Sequence, residues 1–345
     1  MNIERTSVFG KILKLPEFGV VVALIVTAII FQSFNSVFLS KAVFESIIQA
    51  VTFVSIIGIG QAILMIGGVF DLSVGGTAGL TAVVAAKMMT QWHWSVPAAF
   101  LGGILLGCLI GAINGLMVTR AGLPAFVQTL GMLFATQGLV QVVTGGNPVY
   151  PLPNVVTTIG DSRFIFNLGW NFVIWVFLAL VGDFVMRKTT WGRNIYVIGG
   201  NPEVAKIVGI NVRRYQLVSF IICGALSAVS GELVMCSLGA GDTSIGTGWE
   251  LIVIAGTVVG GVSLFGGLGT VAGGILGVLL IQAVQSGLVT SGLSPNYQLI
   301  AVGIILVLAV WFDVYRRKYR ISAKATPPKG AFSLKGALGR RSNRS

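Results

Sequence analysis

Charge is what this sequence has least of. Acidic and basic side chains make up 10% of the 345 residues, against about 25% in soluble globular chains, where apolar residues reach roughly 45–50%. Here the apolar share is 54%. That balance argues against a water-solvated domain as the bulk of the molecule, and no stretch between the apolar runs is polar enough to build a separate soluble core. Histidine occurs once, at His93 between Trp92 and Trp94, so there is no histidine pair for a metal. The three cysteines, Cys108, Cys223 and Cys236, lie in apolar segments without CxxC spacing, which argues against a disulfide framework or zinc site and reads as inert, buried thiols. Also missing are a GxxxxGK[ST] phosphate loop, an HExxH pair and a GxSxG elbow. Ionisable groups within the apolar runs are too few for an obvious proton relay. No catalytic residue, metal or cofactor is expected in this chain, and the energy for any work it does must come from outside it.

What is present is a succession of apolar runs. Residues Met1 to Glu17 carry Arg5, Lys11 and Lys14, and an uncharged run follows from Phe18 to about Phe34 with no small-residue cleavage site, which reads as a first membrane anchor rather than a removed signal. A spanning helix takes about 17–25 mainly apolar residues. Further runs of this kind lie at about 46–66, 72–91, 96–118, 123–143, 171–186, 215–237, 249–264, 268–290 and 294–313. The expected fold is therefore all-α: a polytopic transmembrane helical bundle of about ten spans (8–12). Residues 1–17 form an amino-terminal segment, 18–315 the transmembrane domain and 316–345 a basic tail without order of its own. The runs starting at Phe18, Asn171 and Trp249 are short, so tilted, broken or re-entrant forms stay open there.

Placing the amino terminus in the cytoplasm and alternating sides puts 20 lysines and arginines inside and only Lys41, Lys87 and Arg163 outside, which makes both termini cytoplasmic. Trp92, Trp94, Trp170 and Trp311 then stand at helix ends, where amphipathic rings favour the headgroup layer. The net charge of +12 thus reads as topology; no basic patch interleaved with aromatics argues for nucleic acid. The tail has the composition of a lipid-facing segment, although a nucleic-acid tail has the same composition. Two loops are long. Residues 144–170, outside, hold Gly145, Gly146, Pro148, Pro151 and Pro153 and read as an irregular surface loop. Residues 187–214, inside, are charged and more regular. There Asn201 reads as a helix cap, Pro202 as the first helical residue, Glu203 as a first-turn acid and Gly209 as a stop. A short capped helix clear of the bilayer can transmit a rigid push; a solvated connector is the plain alternative.

Glycine is abundant, 47 in all, and regularly spaced: Gly103, Gly107, Gly111 and Gly115 recur every fourth residue, as do Gly269, Gly273 and Gly277. Such stripes let helix backbones approach closely, either within one subunit or between subunits. Gly267, Gly269 and Ala272 also spell GxGxxA, but no strand precedes them, so no dinucleotide site is read there. Asp71 stands in Gly67-Gly68-Val69-Phe70-Asp71-Leu72-Ser73-Val74-Gly75-Gly76. Glycines this dense break a helix, and irregular backbone at membrane depth is tolerated only against protein or a water-filled cavity. Asp71 with Ser73 therefore either lines a pathway or caps the helix that follows. Glu232 inside the seventh run and Glu250 at the start of the eighth either line a pathway or pair internally.

Three stretches resemble the permease subunits of bacterial ATP-binding-cassette importers of the ribose and branched-chain amino-acid type, closer to the sugar branch. Gly67 to Gly75 is similar to the family's GG-x-DLSVG signature, with one extra residue between the glycine pair and the aspartate. Gly192 to Ile210, including Arg193, Gly200, Asn201, Pro202, Glu203, Ala205 and Gly209, resembles the loop that contacts the ATPases. Gly248-Trp249-Glu250-Leu251 with Gly260 to Gly269 resembles GYEL and GGTSLxGGxG, with tryptophan for the tyrosine. The resemblance spans roughly residues 18 to 315. It implies a permease in the bacterial cytoplasmic (inner) membrane, paired with a second copy or a paralogue, that translocates a small polar solute such as a pentose or hexose. It further implies a periplasmic solute-binding protein that delivers the solute, and cytoplasmic ATPase subunits that hold ATP and Mg. An ion-coupled secondary transporter is the rival reading, and a membrane enzyme or receptor scaffold a more distant one.

Overall fold

A lipid-solvated backbone must satisfy its own N–H and C=O groups, which leaves helices or closed barrels, and this chain takes the first route. The computed structural model describes residues 17–164 and 168–325, the last ten by backbone alone. Thirteen helices occur among the described residues: α1 (Phe18–Phe34), α2 (Lys41–Ile66), α3 (Val74–Thr90), α4 (Val96–Thr119), α5 (Ala125–Thr144), α6 (Asn154–Asp161), α7 (Trp170–Lys188), α8 (Thr190–Gly200), α9 (Pro202–Ile207), α10 (Val212–Leu238), α11 (Trp249–Val259), α12 (Val271–Thr290) and α13 (Asn296–Ala325). Each of the ten apolar runs contains one of these helices, though the run at about 249–264 is helical only to Val259 and then turns. Seven of them, α2, α4, α5, α7, α10, α12 and α13, are long and apolar enough to cross a membrane, while α1 and α11 are apolar but shorter. The molecule is an all-α, multi-pass membrane bundle.

At its centre stand α2, buried without interruption from Val51 to Ile66, and α3, buried over most of its length. Helix α10 packs against α2, α3 and α4, and α12 joins α2 to α11. The glycine stripe of α4 is what lets α10 come so close. A Cβ on Gly107 would fall on the Gly224 carbonyl, one on Gly111 on the Phe220 carbonyl, and one on Gly115 on the Leu217 side chain. Gly273 and Gly277 of α12 face the carbonyls of Gly260 and Gly256 in the same way, and Gly269 (φ 117°) lies against Val262. Both stripes are thus contacts within one chain. The outer faces of α5, α7 and α13 carry exposed apolar side chains such as Phe126, Phe184 and Leu299, the composition a lipid-facing surface requires.

Two expectations need correction. Residues 144–170 are not irregular throughout: Asn154–Asp161 is a helix entered through Pro153, and it buries Val156 and sets Gly160 on the Cys236 carbonyl of α10. Its eight residues are too few for a hydrophobic run to show. The last helix does not end near residue 315 but runs to Ala325, since lysine and arginine are good helix formers and the first proline beyond is Pro327. The rest of the basic tail, 326–345, and residues 1–16 lie outside the described residues.

Candidate coupling junction and buried polar network

Where α2 ends, Gly67 and Gly68 turn the chain, with Gly68 at φ 81° and its N–H bonded to the Met65 carbonyl at 2.9 Å. Where α11 ends, a second glycine turn follows, with Gly261, Gly266 and Gly267 all at positive φ, a conformation that glycine adopts without steric cost. The two turns touch: the Gly267 N–H donates to the Ile66 carbonyl at 2.8 Å. A third element, α8, sets Gly199 into the same spot, so that a Cβ there would fall on the Ile66 carbonyl, and one on Gly266 would meet Gly199. Side chains lock the junction. The Tyr196 hydroxyl donates to the Gly269 carbonyl at 2.8 Å, and Gln216 Nε2 donates to the Gly67 carbonyl at 3.3 Å. Burial pushes the Tyr196 phenol above its ordinary range, which keeps it a neutral donor. From the last helix, Asp313 accepts from Ser263 Oγ (2.9 Å) and the Leu264 N–H (3.1 Å). The three stretches 67–75, 192–210 and 260–269 therefore form one structure.

Helix α9 stands next to this junction. Asn201 Oδ1 accepts from the N–H groups of Glu203 (3.0 Å) and Val204 (3.2 Å), Pro202 occupies the first turn, and Gly209 closes the segment at φ 82°. Ala205 is wholly buried, whereas Ile207 is 83% exposed and Val208 63%. Glu203 and Lys206 pair at 2.8 Å on the exposed side. Arg193 Nη1 reaches the Lys188 carbonyl at 3.5 Å, and Gly200 has open space where a Cβ would stand. The tether to the bundle comes through α8, where Asn194 Nδ2 donates to the Tyr215 hydroxyl at 2.6 Å and Trp191 stacks on Tyr215.

From the junction the chain runs straight into a buried polar network. Asp71 Oδ1 accepts from the Ser73 N–H (2.7 Å) and Ser73 Oγ (2.6 Å), closing the turn that starts α3. Asn114 Nδ2, from α4, donates to Asp71 Oδ2 (3.2 Å) and Ser73 Oγ (2.9 Å), and Gln128 Nε2, from α5, donates to Asn114 Oδ1 (3.1 Å). The Gln61 amide, set with its nitrogen toward the Asp71 carbonyl, pairs with both backbone groups of Asp71 at 3.2 and 3.3 Å. Asp71, Ser73, Asn114 and Gln61 are all buried. A network in which every member is satisfied fixes one arrangement of the helices it joins. The sequence reading singled out Asp71 and Ser73 but missed Asn114, Gln128 and Gln61; their signal is a polar amide inside an apolar run.

The two glutamates lie elsewhere, and no hydrogen bond joins either to Asp71 among the described residues. Glu232 is buried on α10 with Oε1 unpartnered, where a Cβ on Gly103 would stand. Glu250, in the first turn of α11, is buried beside Gly75 with Oε2 unpartnered.

The family model described as branched-chain amino acid transport system / permease component matches residues 42–310, a span that contains the junction, α9 and the Asp71 network. The chain belongs to that permease family. The permease is 32% identical to the L-arabinose ABC transporter permease protein AraH of Azospirillum brasilense, over 83% of this chain and 84% of that one. It is 33% identical to the galactose/methyl galactoside import permease protein MglC of Haemophilus influenzae, over 80% and 87%. With the ribose import permease protein RbsC of Escherichia coli the identity is 29%, over 90% and 98%. No solved structure matches it.

Proposed function

We propose that the permease forms, with a second copy or a paralogue, the pore of an ATP-driven importer in the bacterial cytoplasmic membrane, and that it moves a monosaccharide delivered by a periplasmic binding protein. ATP and Mg are held by a partner ATPase that docks on α9; this chain does no chemistry. The observation that carries the reading is the junction of Gly67–Gly68, Gly199 and Gly266–Gly267 beside an exposed, capped helix. Glycine removes the compliant side chains that would absorb a displacement, so a push on α9 and α8 reaches the segments leading into α3 and α12 through close backbone contacts that Tyr196 and Gln216 pin in place. Helix α3 then carries the motion from Asp71 along the middle of the bundle. The exposed Ile207 and Val208 give the ATPase an apolar anchor, the kind of group that dominates an interface when its partner buries it.

The test replaces those two side chains together, Ile207→Glu with Val208→Glu, in the complex reconstituted in proteoliposomes. Their exposure makes the change neutral for folding, within about 0.5 kcal/mol. Membrane level is expected to stay normal while sugar uptake and the binding-protein-stimulated ATPase fall together. Full uptake and stimulation in the double variant would make residues 187–214 a connector.

A further inference from the structure

Beyond the junction, α3 forms one wall of a cleft of about 450 Å³ bounded by α5 and by residues 243–247, a volume within the roughly 300–1,000 Å³ of small-molecule sites. Gln137 and Gln141, four residues apart, present their carboxamides on one face of α5, and Thr243 and Thr247 bring hydroxyls from the facing segment. Phe134, 64% exposed, adds an aromatic face. No charged side chain lines the cleft. The polar groups are also unspent. Thr129, Thr136 and Thr144 of α5 return their hydroxyls to carbonyls of their own helix, whereas Gln137, Gln141, Thr243 and Thr247 make no side-chain hydrogen bond among the described residues. Four such groups facing hydrocarbon would be costly. Their convergence marks a surface that meets water or a polar solute.

We infer that this cleft is a binding site for a neutral, hydroxyl-rich ring, a monosaccharide, on the transport path. The inference rests on the permease reading above and adds the residues that hold the solute. A carboxamide offers a donor and an acceptor side by side, which matches two adjacent ring hydroxyls. The apolar C–H face of a sugar suits Phe134. An amino acid would bring an ammonium and a carboxylate into a cleft without a countercharge for either, at a large desolvation cost. The cleft is also tied to the coupling machinery, because α3 is its wall: Gly79 lies under the Ile245 carbonyl and Gly75 under that of Gly246. Movement of α3 against residues 243–247 changes the width of the cleft.

The experiment measures uptake of radiolabelled L-arabinose, D-xylose, D-ribose and D-galactose, with L-leucine as the zwitterionic probe, by the full complex in proteoliposomes. Wild type is compared with Gln137→Ala, Gln141→Ala and the conservative Gln141→Asn. Leu139→Ala, an exposed apolar position on the same helix, serves as the control. The readout is sugar moved per ATP hydrolysed at saturating loaded binding protein. Each alanine variant is expected to lose about tenfold in that ratio, one hydrogen-bonding side chain's share. Gln141→Asn should recover part of it, Leu139→Ala should match wild type, stimulated ATPase activity should stay unchanged, and L-leucine should not be moved. An unchanged ratio in both alanine variants, with wild type importing a sugar, overturns the site and leaves the permease reading standing. So does loss of pairing between permease copies in the alanine variants, which would make the cleft an interface filled by the second copy. Import of none of the four sugars by the wild-type complex overturns the reading and the site with it.

Discussion

Two aspartates of this chain build the same turn in opposite surroundings. Asp71 accepts from the N–H and Oγ of Ser73 at 2.7 and 2.6 Å, and Asp242 from those of Ser244 at 2.8 and 2.6 Å. Around Asp71 the turn is buried and extended by Asn114, Gln128 and Gln61 into a network that joins α2, α3, α4 and α5. Around Asp242 the side-chain pairing among the described residues ends at Ser244, which is exposed. Local sequence sets the turn; burial decides whether the turn holds helices together or only shapes a loop. The glycines repeat the lesson, since Gly107 lies against the Gly224 backbone while Gly131, on α5, has open space beside it.

The glycine pair gives the largest expected difference. Gly107→Leu drives a side chain into backbone that cannot yield, so its cost should reach or exceed the about 1–3 kcal/mol typical of overpacking, seen as lost folded yield in detergent. Gly131→Leu should express and melt as wild type. Equal yields would mean that the α4–α10 contact is looser than described. Next comes Asp71→Ala, which strands Ser73 and Asn114 in a buried site and should destabilise by about 2–4 kcal/mol, measured as a lower thermal midpoint. A midpoint within a degree of wild type would reduce the network to a simple cap.

Asp242→Ala is the smallest of the set, about 0.5–1 kcal/mol for an exposed turn. The hydrogen bonds from the Ser244 hydroxyl and N–H hold the Asp242 carboxyl below the usual aspartate value. A depressed carboxylate stabilises the fold above its unfolded value and loses that contribution as pH falls through the folded one. The difference between wild type and Asp242→Ala should therefore be constant above about pH 4 and shrink below it. A difference that grows on acidification would contradict the assignment.

The ten helices that lie in apolar runs were legible because a membrane solvent demands such runs, although only seven are long and apolar enough to cross, and α9 was legible because Asn201, Pro202 and Gly209 spell its limits. The junction was not. Gly67, Gly199 and Gly267 are separated by more than 60 residues at each step, and a single sequence carries no record of which glycine turns meet. The extra helices α6 and α8 escaped for a local reason: eight and eleven residues are too short for periodicity to separate them from a loop. Asn114 escaped although a buried amide in a glycine-rich run is itself a signal, because its partner Asp71 lies 43 residues away. The span count rests on the apolar runs and the cytoplasmic placement of both termini on the charge distribution; reporters fused after Arg193 and after Arg320 read that placement directly.

Dependence on ATP tests the central claim most directly. The complex of permease, ATPase and binding protein is placed in proteoliposomes loaded with ATP and Mg, ion gradients are collapsed with ionophores, and entry of a labelled monosaccharide is followed. Uptake should proceed with the gradients gone and stop when ATP is replaced by a non-hydrolysable analogue. Uptake by the permease alone that follows an imposed ion gradient would contradict it.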